Sequence, residues 1–276
     1  MSSILKQVHD VAKQGFGTGT NELYDRARPS YQSEALSYIR QEVQASSVNV
    51  VEIGSGTGIS TRALLAHPSW SQSLARLHAV EPSEGMRDVF SKTIKDSRVS
   101  AADGTFDTTG VEDGWADLVL VAQAFHWCPD YNAAAAEFAR ILKPSGIVAL
   151  IWNLEDRDAA RWVAQLRDRI ESHESGTPQF RLGLWRQTFN TPNYQSIFQP
   201  PIEKTWDRSL PGTLEIAIDR ACSKSYIAVL PEAEKKKVVE DVTEIVKRGD
   251  DMTWQEKEKG VFDYPYRTYV VIWKKK

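Results

Sequence analysis

The stretch Val50-Val51-Glu52-Ile53-Gly54-Ser55-Gly56-Thr57-Gly58 constrains this chain more than any other feature. An apolar run from Val48 to Ile53 reads as a buried strand, and a helical pattern opens at Ile59. Between them stand three glycines in five positions. Glycines at such a junction mean a tight backbone turn that comes close to a ligand.

The spacing bears on which ligand. A dinucleotide fingerprint, G-x-G-x-x-G, counted from Gly54 needs its third glycine at position 59, which is Ile59. Here the pattern is G-x-G-x-G and closes on Gly58. Glu52, beside the loop, would oppose a pyrophosphate and welcome a ligand carrying an ammonium and a sulfonium. A turn with no ligand and a dinucleotide site are the alternatives. A second acid, Glu81, stands 27 positions beyond Gly54 at the end of a second strand. There it can accept both hydroxyls of an adenosine ribose, or be a solvated strand-end acid. Asp103, after a third strand, can accept from an adenine amino group or serve as a turn aspartate.

Strands and helices alternate along the first half. Leu77–Glu81, Arg98–Ala102, Asp117–Ala122 and Ile147–Trp152 read as further strands. Glu84–Ile94 reads as a helix with Met86, Val89, Phe90 and Ile94 on one face. Asp130 is placed to cap a helix that turns Ala134, Phe138, Ile141 and Leu142 inward. Lys143-Pro144-Ser145-Gly146 reads as the turn that ends it. Strands apolar on both faces mean a parallel sheet covered by helices. Residues 154–198 read as helical and irregular, 204–210 as a strand, 232–247 as an amphipathic helix and 267–273 as a final strand. The expected organisation is a helical lid segment over 1–45, a core over 46–152, a substrate-lid insert over 153–200, and the rest of the sheet with helices over 201–276.

Composition excludes several classes. With 34 basic and 37 acidic residues the formal charge is −3, so no electrostatic case for nucleic acid arises. Two cysteines, Cys128 and Cys222, cannot make a disulfide framework or a thiolate zinc site. The five histidines do not pair at ligand spacing, so no metal is expected. Apolar runs fall short of the ~20 residues of a membrane helix. The N-terminus lacks a secretory stretch. A cytoplasmic protein without a membrane role is the expectation.

In order and spacing, these segments resemble the class I S-adenosylmethionine-dependent methyltransferases. Glu52–Gly58 looks like their first motif, Val80-Glu81-Pro82-Ser83-Glu84-Gly85-Met86 their second, and Ala102-Asp103-Gly104 their third. Val121–Trp127 and Arg140–Gly146 are similar to the fourth and fifth. A narrower likeness, to a small-molecule branch that includes enzymes methylating carboxylates such as trans-aconitate, rests on four segments. They are Tyr24–Tyr31, Gln123–Trp127, Ser223–Tyr226 and Tyr264–Thr268.

The resemblance implies an α/β fold: a Rossmann-like, doubly wound seven-stranded sheet of order 3-2-1-4-5-7-6, its last strand antiparallel. An N-terminal helical segment and a helical lid insert would accompany it. It implies S-adenosyl-L-methionine as cofactor, S-adenosyl-L-homocysteine as product, and no metal. The cofactor would be held by Glu52, Gly54, Ser55, Gly56, Gly58, Glu81, Pro82, Ser83, Met86, Asp103, Gly104, Gln123 and Ala124. In that assignment the glycine loop takes the methionine part, Glu81 the ribose, Met86 and Asp103 the adenine, and Gln123 and Ala124 lie near the methionine tail.

His126 is the histidine next to the expected methyl position. It can orient a carboxylate, take a proton from a hydroxyl, or brace its loop. Tyr24, Arg28, Tyr31, Trp127, Trp152, Trp185 and Phe189 are the candidate substrate contacts, with core packing or a surface ion pair as the plainer readings. The expected reaction is O-methylation of a carboxylate on a small molecule, by a monomer or homodimer. N-, C- or S-methylation of a secondary metabolite, or a cofactor-binding protein that no longer methylates, are the alternatives.

Overall fold

Strands buried on both faces set the architecture. In β4, all seven residues from Ala116 to Ala122 are buried, so no alternation marks an outer face. The computed structural model describes residues 21–276, so the first twenty residues of the expected 1–45 segment lie outside it. The chain opens with α1 (Asn21–Ala27), α2 (Ser33–Glu42), β1 (Val48–Ile53), α3 (Ile59–Ala66) and α4 (Pro68–Ser73). There follow β2 (Leu74–Val80), α5 (Glu84–Thr93), β3 (Val99–Ala102), β4, α6 (Tyr131–Ile141) and β5 (Leu142–Glu155). Next come α7 (Arg161–Glu171), α8 (Pro192–Ile197), β6 (Ile202–Gly212), α9 (Leu214–Cys222) and α10 (Ser225–Ala228). The last elements are α11 (Glu232–Arg248), β7 (Trp254–Glu256) and β8 (Val261–Lys274).

The sheet order is β3-β2-β1-β4-β5-β8-β6, with β7 paired antiparallel to β8. This is the expected order, but with eight strands instead of seven. The added strand is β7, whose three residues are all exposed. A short strand with no buried face leaves no period-two pattern to read. The pairs β1–β2, β1–β4, β2–β3 and β4–β5 are parallel.

Local chemistry accounts for the α6 start. The Asp130 side chain accepts from the N–H groups of Asn132 and Ala133, both at 2.9 Å. The expected turn at Lys143–Gly146 is instead part of β5. Its register steps from Ala116↔Leu142 to Leu118↔Ile147, so the extra residues form a bulge. Gly146 belongs there because a Cβ would sit 2.9 Å from the Ala116 carbonyl oxygen. The last strand also starts at Val261, ahead of Arg267, with Phe262, Tyr264 and Tyr266 on its buried face.

The described chain forms two compact units. One contains residues 21–29, 153–177 and 206–268. Its core joins Trp162 and Leu166 of α7, Ala217 and Ala221 of α9, Val238 and Val242 of α11, and Phe262 and Tyr264 of β8. The other contains residues 30–152, 178–205 and 269–276. Its core joins β1, β4 and β5 with Phe125, Phe138, Trp152, Trp185 and Trp273. Residues 153–177 therefore group with one unit and 178–200 with the other. Among the described residues no helix is long and apolar enough to cross a membrane.

Candidate functional site

The glycine loop between β1 and α3 is built from left-handed backbone. Gly54, Gly56 and Gly58 have φ of +70°, +56° and +86°. Space adds a second demand for glycine. A Cβ on Gly54 would lie 2.5 Å from the Ala124 Cβ, and one on Gly56 would lie 3.3 Å from the Met86 Sδ. One on Gly58 would collide with Ile94 and Phe90. The Gly54 N–H donates to the Val80 carbonyl at 2.8 Å, and the Gly58 N–H donates to that of Ser55 at 3.0 Å.

Glu81 is locked to this loop. Its Oε2 accepts from the Gly56 N–H and its Oε1 from the Ser83 N–H, each at 2.9 Å. A carboxylate oxygen has two lone pairs, so each retains capacity for a further donor. Burial raises the Glu81 pKa, against the pull of these two N–H groups and of Arg87. The structure thus brings together the loop, Glu81, Met86 and Ala124 from four separate segments. Ser55 Oγ and Thr57 Oγ1 are buried in the same loop and have no hydrogen-bond partner among the described residues. Buried hydroxyls call for partners. Two of them beside a glycine cradle fit the charged amino-acid end of S-adenosylmethionine. Thr57 was not singled out from the sequence, because only burial shows that its hydroxyl goes unsatisfied.

Other expected cofactor residues have partners within the protein. Glu52 is fully buried and accepts from the hydroxyls of Ser60 and Thr61 at the start of α3. Its carboxylate therefore ties α3 to β1. Burial pushes its pKa up to about 7, with the two hydroxyls pulling the other way. Asp103 is exposed and pairs with Arg87 at 3.0 Å. Arg87 also donates to the Glu81 carbonyl at 2.5 Å, linking the ends of β2 and β3. Pro82 is exposed. Ser83 caps α5, its hydroxyl accepting from the Met86 N–H at 3.3 Å. A Cβ on Gly104 would meet the Val80 Cγ1 at 2.7 Å. Gln123, just past β4, holds φ of +56°, and its N–H donates to the Ile151 carbonyl at 2.8 Å. A non-glycine residue in that region is the kind of strain found at functional sites.

His126 sits in a 3₁₀ turn, Phe125–Trp127, and is buried. The Trp152 Nε1–H donates to its Nδ1 at 3.3 Å. An indole nitrogen can only donate, so Nδ1 carries no proton and the ring proton lies on Nε2. Trp127 is half-buried, its ring 5.5 Å from that of His126. Trp152 and Trp185 are buried, with ring centroids 4.9 Å apart, and Phe180 packs on both at 4.6 and 5.7 Å. Phe189 meets Trp185 edge-on at 5.8 Å. Sequence reading missed Phe180, which has no periodic neighbours to mark it. Tyr31 is half-buried just before α2. Tyr24 and Arg28 belong to the other unit. There the Arg28 guanidinium lies 4.6 Å over the Tyr24 ring and donates to Ser223 Oγ and O at 3.1 and 2.9 Å.

Known proteins place this arrangement. Residues 51–150 match a family described as a methyltransferase domain. An uncharacterised methyltransferase-like protein of Schizosaccharomyces pombe is 31% identical over 226 residues, which cover 81% of this chain and 83% of that one. An uncharacterised methyltransferase of Mycobacterium bovis is 30% identical over 223 residues, covering 81% and 82%. A solved putative type II methyltransferase from Anaeromyxobacter dehalogenans shares the fold. Its TM-score is 0.58 at 17% identity, over 89% of this chain and 96% of that one. A Haemonchus contortus phosphoethanolamine N-methyltransferase, solved with phosphomonomethylethanolamine and S-adenosylhomocysteine, aligns with a TM-score of 0.51 at 14% identity. That alignment covers 91% of this chain and 56% of that one. Relatives this similar across most of the chain, on a sheet of this order, make the assignment: this protein is an enzyme that belongs to the class I S-adenosylmethionine-dependent methyltransferases.

Proposed function

We propose that the enzyme methylates a carboxylate oxygen of a small organic molecule. The observation that carries this reading is the bond from Trp152 to His126. With Nδ1 accepting from the indole and the proton on Nε2, His126 is arranged to donate a hydrogen bond. A carboxylate is already ionised near neutral pH and needs no base. A hydroxyl acceptor would need one.

The cofactor, when bound, supplies a methyl group on a positively charged sulfur. Glu81 and the Gly54–Gly58 backbone would hold it, with Ser55 and Thr57 toward its amino-acid end. The His126 Nε2–H would orient the acceptor carboxylate, Trp127 would wall the site against water, and Trp152 would act behind His126 as a positioning residue. Of the remaining candidates, Trp185 and Phe189 would back the aromatic wall. Alignment of donor and acceptor then carries most of the rate.

A labelled-methyl transfer screen over small carboxylic acids, phenols and amines, read by mass, tests this. The expected product is a methyl ester, formed at a rate that stays level through the histidine range near pH 6.5. Label on phenols or amines alone, or a rate that climbs through that range, would overturn the reading. As a control, Gly56→Val should abolish S-adenosylhomocysteine binding in calorimetry while the variant stays folded. Unchanged affinity would remove the loop from the site.

A further inference from the structure

The unit containing α7, α9 and α11 gathers four cations around Glu155, three of them buried (Arg167, Arg220 and Lys224) and one, Arg28, half-buried. Glu155, at the end of β5, is fully buried. The Arg220 Nε lies 2.9 Å from its Oε1, and the Lys224 Nζ donates to its Oε2 at 3.2 Å. Arg167 of α7, also buried, donates to the Glu155 backbone carbonyl at 3.0 Å and pairs with Glu171 at 2.5 Å. Among the described residues, Arg28 makes no direct ion pair: it donates to the hydroxyl and carbonyl of Ser223 and lies over the Tyr24 ring, with Glu155 as the acid acting on it from across the cluster.

The charges do not balance. Four cations face three acids: Glu171 answers Arg167, Glu155 is shared between Arg220 and Lys224, and the buried Glu174 lies toward Tyr226, so one positive charge is left over. Arg28 faces both Arg220 and Lys224 across this cluster. Arg220 is 1% exposed, yet among the described residues its Nη1 has no hydrogen-bond acceptor. The strain shows in the groups themselves. Burial, then Arg220, brings Lys224 down to about 7, and burial, then Arg220, lowers Arg28. A structural cation cluster looks different: Arg140, in the other unit, has both Glu137 and Asp113.

We propose that Arg28, Arg220 and Lys224 form a binding site for a carboxylate group of a small organic acid. The proposal deepens the carboxylate reading above and rests on it for the ligand's chemical class. Two guanidinium groups with spare donors match the planar, two-oxygen geometry of a carboxylate. The missing charge is also small. A carboxylate brings one negative charge, whereas a phosphate monoester brings roughly 1.5–2 at neutral pH. Tyr226, buried on α10 and facing Arg28, lines the same cluster.

Calorimetric titration of the cofactor-free full chain with citrate, and separately with inorganic phosphate, tests the site. Citrate should bind in preference to phosphate. Arg28→Met and Lys224→Met should each weaken citrate binding by roughly tenfold to a hundredfold, the effect of losing one hydrogen bond to a charged group. Lys224→Arg should restore most of it. S-adenosylhomocysteine affinity, measured on the same samples, should be equal in all of them, which shows that the variants are folded. No binding of citrate to the unmutated chain, equal citrate affinity in the Met variants, or a preference for phosphate would overturn the proposal. Failure of the carboxylate reading would appear separately, as methyl transfer to phenols or amines alone in the acceptor screen while citrate still binds the cluster.

Discussion

Glu52 in one unit and Glu155 in the other are the same residue at the same burial, both 0% exposed, and they titrate in opposite directions. Burial acts on both alike, pushing the carboxyl upward. Glu52 bonds to the Ser60 and Thr61 hydroxyls, feels Arg62 and Glu81 with opposite signs, and moves from the ordinary 4.5 up to about 7. Glu155 has Arg220, Lys224 and Arg167 about it, and their combined pull takes it well below the carboxylate range. Partner charge, and not depth, decides the sign.

The two therefore set opposite edges of stability. A carboxyl raised in the folded state adds stability that is complete below its unfolded pKa and is lost as pH rises through the folded one. For Glu52 that loss runs from about 4.5 to about 7. A carboxyl lowered in the folded state adds stability that is present above its unfolded pKa and is lost as pH falls beneath it. Glu155 is of this second kind, so its contribution fails in acid.

Three substitutions test the contrast. Glu155→Gln has the largest expected effect, since it strips Arg220 and Lys224 of their shared acid. Leaving a buried charge uncompensated costs about 3–5 kcal/mol, to be read from urea denaturation at neutral pH. A loss under about 1 kcal/mol would mean that the cations do not depend on Glu155. Glu81→Ala tests a third buried carboxylate, one also raised by burial but held by backbone N–H groups at the glycine loop. S-adenosylhomocysteine affinity should fall by roughly 1.5–3 kcal/mol in calorimetry, and a loss of a few tenths would make Glu81 a bystander. Glu52→Gln has the smallest effect and the opposite sign. It keeps the shape and removes the titration, so stability at about pH 8 should rise by about 1–2 kcal/mol. Thermal melts between about pH 5 and 8 should lose most of their slope. A slope equal to that of the unmutated chain would show that another group is responsible.

Much of the fold is legible in the chain because its signals are local. Glycine at 54, 56 and 58 announces left-handed backbone. Asp130 announces a helix start, and Met86, Val89 and Phe90 announce a buried helical face. Strand order followed from the ordered likeness of these segments to one family. The bulge at Lys143–Gly146 was not legible, since turn-forming residues look alike in a turn and in a bulge. The distinction lies in the register against β4.

The site divides along the same line. By itself the sequence determined the glycine loop, the place of Glu81 after β2 and the position of His126 after β4, each set by spacing within one short segment. Packing of the folded chain chose which groups those residues face. It turned Glu52 inward to Ser60 and Thr61, fixed the His126 proton through Trp152, and gathered Arg28, Glu155, Arg220 and Lys224 into one charged cluster. Partners such as Glu155 and Arg220 lie far apart along the chain. No local periodicity couples them, and the energy of a buried charge depends on which partners the fold brings within a few ångströms of it.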